Sequence, residues 1–388
     1  MSSTTMTRPT VPRPDPGTAT GAEHVETVVA GGGQAGLATA RHLGRLGRPC
    51  LVLDAHPRVG DSWRERYASL RLVTPARYDS LPGLEFPAPP GSFPSGADMA
   101  AYLERYAERF RLPVRPGTLV TRVEHVPRAG FRLSTTAGAV TAHQVVVATG
   151  GGQVPRVPWF AADLDAGIRQ LHSSAYRGPG QLLPGAVLVV GAGQSGVEIA
   201  LELAGAGVET WLSGRPSGEI PFPLTSGRGR AARPLLWFTA RHLLNDHTSG
   251  GRRLRDRVRQ GGAPLVGVRR SDLAAAGVRH VDSRTVGTRD GLPVLADGAA
   301  LRVRNVLWCT GFRPDFGFIH PAVTGADGWP RDDGGIVRTS PGLYFVGLPY
   351  QRGYASTLVG GVGRDAARVA RHIAVRSRQR ERGPAVTG

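Results

Sequence analysis

Residues 26–56 read ETVVAGGGQAGLATARHLGRLGRPCLVLDAH. The apolar run closing at Ala30 reads as a strand, Gly31-Gly32-Gly33 as a turn, Gln34 to about Leu46 as a helix and Cys50–Asp54 as a second strand. That is a βαβ unit of the size a parallel sheet requires. Its turn is a G-x-G-x-x-G, Gly31-Gly32-Gly33-Gln34-Ala35-Gly36. Gly31 permits the tight turn, Gly33 lets backbone approach a pyrophosphate, and Gly36 lets helix and strand pack closely. The N–H groups that open the helix, reinforced by its dipole, then face the phosphates. Asp54 ends the second strand, 23 residues after Gly31. A carboxylate there can accept hydrogen bonds from both ribose hydroxyls but repels a 2′-phosphate. FAD or NAD fits this unit; NADP does not.

The pattern returns at residues 185–215, GAVLVVGAGQSGVEIALELAGAGVETWLSGR. The second turn is Gly191-Ala192-Gly193-Gln194-Ser195-Gly196, and its second strand ends Trp211-Leu212-Ser213-Gly214-Arg215. Where the first unit has an acid, this one has Arg215, whose guanidinium can pair with a 2′-phosphate and stack on adenine; Ser213 can add a hydrogen bond. The second unit therefore points to NADPH. One G-x-G-x-x-G is weak evidence in a glycine-rich chain. Two of them, each between a strand and a helix and each with a ribose reader at the right distance, are much stronger. The units start about 160 residues apart and each is local, so a domain type is duplicated and no solenoid is implied.

Outward from these units, a Pro/Gly-rich stretch over Pro82–Gly96 leads into an amphipathic helix at residues 97–112, capped near Ser95. Short strands follow at Leu119–His125 and Phe131–Thr135, then a continuous apolar strand, HQVVVATGG. Residues 216–300 hold a helix, PLLWFTARHLLN, and an arginine-rich loop; NVLWCTGF, GLYFVGL and a final helix, GRDAARVARHIA, complete the chain. VVVATGG and VLWCTGF are both apolar strands ending in Thr-Gly. Taking one as the exit from the FAD unit and the other as the return gives an α/β fold with two Rossmann-like dinucleotide-binding domains, the NADPH domain inserted in the FAD domain. The expected division is a disordered tail at 1–23, FAD domain at 24–152, NADPH domain at 153–305, FAD domain again at 306–375 and a basic tail at 376–388.

Composition narrows the alternatives. A chain of 388 residues can bury more than one core. Its formal charge of +18 comes from 48 basic residues, all arginine, spread along the chain. A nucleic-acid surface would gather them on one face, so solvated faces and attraction to phosphate-bearing cofactors are the simpler reading. The two cysteines, Cys50 and Cys309, lie far apart and form no C-x-x-C, which argues against a disulfide framework or a zinc site. The opening residues lack the apolar core of a signal peptide, and no window approaches the ~18 apolar residues of a membrane span. A cytoplasmic protein is expected, with no nucleic acid, no membrane and no metal.

Several segments carry a resemblance at family level: LDAHPRVGDSWRERYASLRLVTP, VVVATG, QLHSSAYR, VLVVGAGQSG, LWCTGFRPDF and PGLYFVGLPYQ. With them the chain resembles the class B flavin-dependent monooxygenases, in particular the bacterial CzcO-like flavoproteins, relatives of flavin-containing monooxygenases and of plant indole-pyruvate oxygenases. The resemblance covers nearly everything from Val25 to Ile373. It implies that Trp63 and Arg64, in the family's Gly-x-Trp segment, contact FAD, and that Thr74-Pro75 lies near the isoalloxazine. It makes Thr149-Gly150 and Thr310-Gly311 the interdomain linkers and Gly347 part of the last flavin-contacting stretch. The family fingerprint F-x-G-x-x-x-H-x-x-x-(W/Y/F) is matched in its second half by His172 and Tyr176; the phenylalanine is absent and the Gly167–His172 spacing is one residue longer. His172, Tyr176 and Thr74 are the implied catalytic residues.

The implied reaction is reduction of FAD by NADPH and capture of O₂ at flavin C4a as a peroxyflavin, which places one oxygen atom in a small substrate. The longer fingerprint and the Pro-Gly-Ala acid of Baeyer–Villiger enzymes are missing, so N-, S- or C-hydroxylation is favoured over ketone-to-ester chemistry. An NADPH-dependent flavoprotein reductase or oxidase without oxygen insertion stays open. So does a basic binding protein on a degenerate flavoprotein fold, against which the two intact glycine turns argue.

Overall fold

The computed structural model describes residues 22–216, 218–220, 222–259 and 262–382. Of the expected terminal tails, residues 1–21 and 383–388 lie outside the described residues. The chain runs from β1 (Glu23–Ala30) through the first glycine turn into α1 (Gln34–Arg45) and back along β2 (Cys50–Leu53). The short α2 (Asp61–Arg64) and a single 3-10 turn at Ala76–Tyr78 precede α3 (Gly96–Arg109). Strands β3 (Val114–Arg115), β4 (Val120–Val126), β5 (Gly130–Thr135) and β6 (Gly138–Val147) follow. The crossing strand β7 (Val154–Pro155) leads to β8 (Arg169–His172), β9 (Val187–Val190), α4 (Gln194–Gly205) and β10 (Thr210–Ser213). A helical excursion, α5 (Gly227–Phe238), α6 (Ser249–Arg259) and α7 (Arg270–Ala275), ends in β11 (Arg279–Val281). The hairpin β12 (Thr285–Arg289) and β13 (Leu292–Leu295) precedes β14 (Asn305–Trp308). The chain returns through β15 (Phe312–Arg313), β16 (Ile319–His320) and β17 (Leu343–Phe345) to α8 (Val359–Glu381).

Two sheets result. The first has order β16-β4-β5-β6-β1-β2-β3, and β17 also pairs with β6. The early part of β6 pairs antiparallel with β5 (Gly138–Ala142), and its end pairs parallel with β17 (Val145–Val147), so one strand serves a meander and a parallel sheet in turn. The second sheet, β11-β10-β9-β14-β8, is parallel throughout. It is drawn wholly from residues between β6 and β16, so one Rossmann-like unit is inserted in the other. The connecting strands β7 and β15 are themselves paired antiparallel.

Four expectations need correction. NVLWCTGF does not return to the first sheet: β14 sits between β9 and β8, with all four residues buried, and the chain crosses back only after it. The arginine-rich loop is the helix α6, whose start is fixed by the Thr248 hydroxyl accepting from Gly251 N–H (3.0 Å). The C-terminal basic stretch continues α8 to Glu381, because Ser377 is buried and accepts from Gln144 Nε2 (2.8 Å). The helix expected from Pro234 starts earlier, at Gly227, where the Ser226 side chain accepts from Gly229 N–H.

Local chemistry explains the elements that frame the site. Ser95 and Asp98 form a capping box at the start of α3, at the expected cap. Leu37 and Leu43 of α1 are fully buried in one core with Val362, Val369 and Ile373 of α8. At roughly 1.5–3 kcal/mol per buried aliphatic side chain, this seam holds the first turn of α1 in place.

Candidate active site

The two glycine turns are built alike. Gly31 has φ +110° and its N–H donates to Leu53 O (2.7 Å); Gly191 has φ +108° and donates to Ser213 O (2.8 Å). A Cβ on Gly31 would sit 2.6 Å from Ala148 O, and one on Gly191 2.4 Å from Cys309 O. On Gly36 or Gly196 it would lie 1.8 Å from the carbonyl oxygen of Gly31 or Gly191. A Cβ on Gly33 or Gly193 would meet nothing within 4 Å, so both helix N-termini stay open to a ligand.

Around the first turn lies a cleft of about 1040 Å³, of the size that takes a dinucleotide. Gly31, Gly33, Gln34, Ala35, Asp54, Trp63, Thr149, Gly150 and Gly347 all line it. Trp63 Nε1–H donates to Gln34 Oε1 (3.3 Å), tying the Gly-x-Trp segment to the turn. Asp54 is buried; its Oδ2 accepts from Gly32 N–H, and its Oδ1 bonds His56 N–H (2.8 Å) and His56 Nδ1 (2.9 Å). Of a carboxylate's roughly four acceptor sites, one on Oδ2 is left, enough for one ribose hydroxyl and not the two expected. Arg64 is turned away: it donates to Val59 O (2.8 Å) and pairs with Asp61 (2.7 Å) and Glu104 (2.6 Å). Arg66, two residues on, lines the cleft instead, with Arg122, Gln153 and His320. No motif marked these residues, since the sheet edge brings them in from distant segments. The turn, its open helix end and Asp54 fit FAD.

The second turn differs most at its strand end. β1 pairs Ala30 with Leu53 and β9 pairs Val190 with Ser213, so the counterpart of Asp54 is Gly214, and Arg215 stands one residue beyond. Gly214 has φ +125°, and a Cβ there would sit 3.3 Å from Ala192 N. Arg215 is exposed, its Nε–H donating to Asp282 O (3.2 Å). Ser213 is buried and its hydroxyl bonds Ser283 O (3.0 Å) and Thr285 Oγ1 (2.8 Å), so it is spent inside the fold and not on a phosphate. Gln194 clasps the backbone of Val266 through both side-chain ends (2.8 and 2.9 Å) and donates to Glu198 Oε1 (2.6 Å). Burial raises the Glu198 carboxyl, which also accepts from Tyr67 OH, itself beside Ser195. An open glycine turn, no acid at the strand end and an exposed guanidinium held by one backbone carbonyl fit a dinucleotide with a 2′-phosphate.

The Thr-Gly pairs end β6 and β14, equivalent strands of different sheets, with φ +75° at Gly150 and +77° at Gly311. Thr149 Oγ1 accepts from Gln153 Nε2 (2.8 Å), and Thr310 Oγ1 donates to Arg156 O. His172 ends β8 as a brace: Nε2–H donates to Gly311 O (3.0 Å), Nδ1 accepts from Ser174 N–H (3.1 Å), and the ring meets Phe312 edge-on. Burial holds its pKa below the usual value, so it is neutral with both nitrogens in use. Tyr176 is fully buried, its hydroxyl donating to Glu202 Oε2 (2.9 Å). Neither side chain borders the cleft at the first turn. Thr74 precedes the 3-10 turn and shares a hydrogen bond with Asp79. Among the described residues, no helix is long and apolar enough to cross a membrane and no group of three or more ligating side chains gathers to hold a metal.

Residues 28–219 match the sequence profile of the pyridine nucleotide-disulphide oxidoreductase family. A CzcO-like oxidoreductase of Geobacillus kaustophilus is 37% identical over 88% of this chain and 96% of its own. The indole-3-pyruvate monooxygenase YUCCA1 of Oryza sativa subsp. japonica is 29% identical over 92% and 93% of the two chains. The solved flavin-containing monooxygenase from Stenotrophomonas maltophilia superposes with a TM-score of 0.71 at 28% identity, covering 92% of this chain and 99% of that one. Two inserted Rossmann-like units, glycine turns of matching build and relatives of this similarity along nearly the whole chain make it a member of the CzcO-like oxidoreductases within the class B flavin-dependent monooxygenase family, which depends on FAD and NADPH.

Proposed function

We propose that this chain is an NADPH-dependent FAD monooxygenase that places one atom of O₂ in a small organic substrate, with hydroxylation at nitrogen, sulfur or an activated carbon favoured. The observation that carries the cofactor assignment is the contrast between strand ends: Asp54 at the first turn, Gly214-Arg215 at the second. FAD, once bound, supplies the redox and oxygen chemistry. The chain's own work is then to bind and orient. Gly31, Gly33, Gly36 and Ala35 seat one pyrophosphate, Asp54 takes a ribose hydroxyl, and Trp63 with Gln34 closes one wall. Gly191, Gly193, Gln194, Ser195 and Gly196 seat the other pyrophosphate, and Arg215 takes the 2′-phosphate. His172 and Tyr176 act as positioning residues, one holding the return linker at Gly311 and the other holding α4 through Glu202.

A reductase acting on disulfides gains nothing from the cysteines. Burial pushes Cys50 to about 11 and Cys309 to about 12, far from a reactive thiolate. The cofactor half is tested by Arg215→Ala, which should lower kcat/KM for NADPH about 10- to 100-fold with NADH unaffected, the scale of one charge-assisted hydrogen bond. Unchanged NADPH use would remove Arg215 from the site. The oxygenase half is tested with isotopically labelled O₂ over a panel of amines, thioethers and ketones. Label in the product supports it; stoichiometric hydrogen peroxide with every substrate supports an oxidase.

A further inference from the structure

Asp79 is a carboxyl that the proposed function does not use. It is fully buried, with relative exposure 0%. Its Oδ1 shares a hydrogen bond with Thr74 Oγ1, and its Oδ2 has no hydrogen-bond partner among the described residues. The side chain makes no ion pair there either. The titratable group facing it is Tyr102 of α3, whose hydroxyl is already engaged, accepting from Leu81 N–H (2.7 Å) and donating to Leu84 O (2.7 Å). A buried carboxylate with one donor and no cation is strongly disfavoured, and burial moves Asp79 up to about 7.

The turn that carries it reaches the cleft wall through α8, although none of residues 74–79 lines the cleft itself. Ala35 and Gly347 line the cleft, and a Cβ on Gly347 would lie 2.6 Å from Ala35 Cβ and 3.8 Å from Val362 of α8. The first turn of α8 abuts the 74–79 turn in its own right: a Cβ on Gly360 would meet Tyr78 O at 2.0 Å. Thr74 itself is half-buried.

We propose that Asp79 is a positioning residue that decides which way the Thr74 hydroxyl faces. Protonated on Oδ1, the carboxyl donates to Thr74 Oγ1 and leaves the threonine hydrogen free to donate to FAD. Ionised, it takes that hydrogen back and leaves Thr74 Oγ1 with lone pairs alone. The proton moves between Asp79 and solvent, and no covalent bond other than O–H is made or broken. That the freed hydrogen points to FAD rests on the proposed function together with the resemblance, which implies that Thr74-Pro75 lies near the isoalloxazine.

The test has two arms. In flavin-free protein, infrared difference spectra across the pH range around 7 should show a protonated-carboxyl C=O band that is lost as pH rises, and Asp79→Asn should remove it. In the holoprotein, the visible spectrum of bound FAD and its rate of reduction by NADPH should step with pH as well, at a midpoint above that of the flavin-free protein because bound FAD favours the protonated form, the rate by about tenfold, the scale of one hydrogen bond. Asp79→Asn, whose Nδ2–H donates permanently to Thr74, should keep the low-pH spectrum and rate at every pH. Thr74→Val should lose the step and match neither limb. A carboxyl band that does not titrate, or an unchanged step in Asp79→Asn, overturns the proposal. A titrating band with an invariant flavin spectrum overturns the link to FAD. A protein that takes up no FAD refutes the proposed function instead, while the infrared arm still judges the proton on Asp79.

Discussion

The two glycine turns share their backbone and differ most in the residue at the facing strand end. Both have φ near +110° at the first glycine, both press that glycine against the carbonyl ending a neighbouring strand, and both hold the helix so close that a Cβ at the last glycine would lie 1.8 Å from a carbonyl oxygen. At the strand end the first turn has Asp54, bonded to Gly32 N–H, and the second has Gly214, where a Cβ would come within 3.3 Å of Ala192 N. In the proposed function, the shared backbone geometry seats a pyrophosphate in each unit and the strand-end side chain selects the ribose. An acid facing the cradle admits hydroxyls and repels phosphate, while its absence, with a guanidinium one residue on, does the reverse.

If the backbones are equivalent, Gly36→Ala and Gly196→Ala should each cost about 3 kcal/mol, because the clash is with backbone that cannot move aside. Urea denaturation of both variants measures this, and a large inequality would break the comparison. If the strand end selects the nucleotide, Gly214→Asp should install the first turn's acid in the second. NADPH kcat/KM should then fall roughly a hundredfold more than NADH kcat/KM, about 2.7 kcal/mol of discrimination. An equal fall for both would mean that φ +125° at residue 214, and no charge effect, is being read.

The smallest effect concerns a brace that belongs to the second unit. His172 is neutral in the fold because burial lowers its pKa, while the unfolded chain protonates it near 6.5. Below that pH the unfolded state holds the extra proton, so stability is lost as pH falls through the window between the two values. His172→Gln should flatten that loss by at most about 1.4 kcal/mol per pH unit, with FAD content unchanged. A parallel stability profile would show that His172 is not buried as a neutral ring.

Much of the proposed cofactor machinery was legible because it is local. Gly31 to Asp54 and Gly191 to Arg215 are continuous segments in which spacing, strand propensity and the need for φ > 0 act within one βαβ unit. Arg64 and Ser213 were legible as polar side chains near the sites but not in their direction. Arg64 turns to Glu104 on α3, and Ser213 bonds across to Thr285, partners 40 and 72 residues away. Arg66, Gln153 and His320 were invisible for the same reason.

From sequence alone follow two dinucleotide folds, their order and the sign of the charge at each strand end, since these depend on short-range periodicity and on residue chemistry. Tertiary structure decided that β14 belongs to the second sheet, that Gly214 and not Arg215 stands opposite Asp54, and that His172 braces a linker. Strand register and side-chain direction are set by partners distant in the chain. It also decided that Asp79 is sealed away with one free oxygen, because burial is a property of everything packed around a residue and of nothing beside it in the sequence.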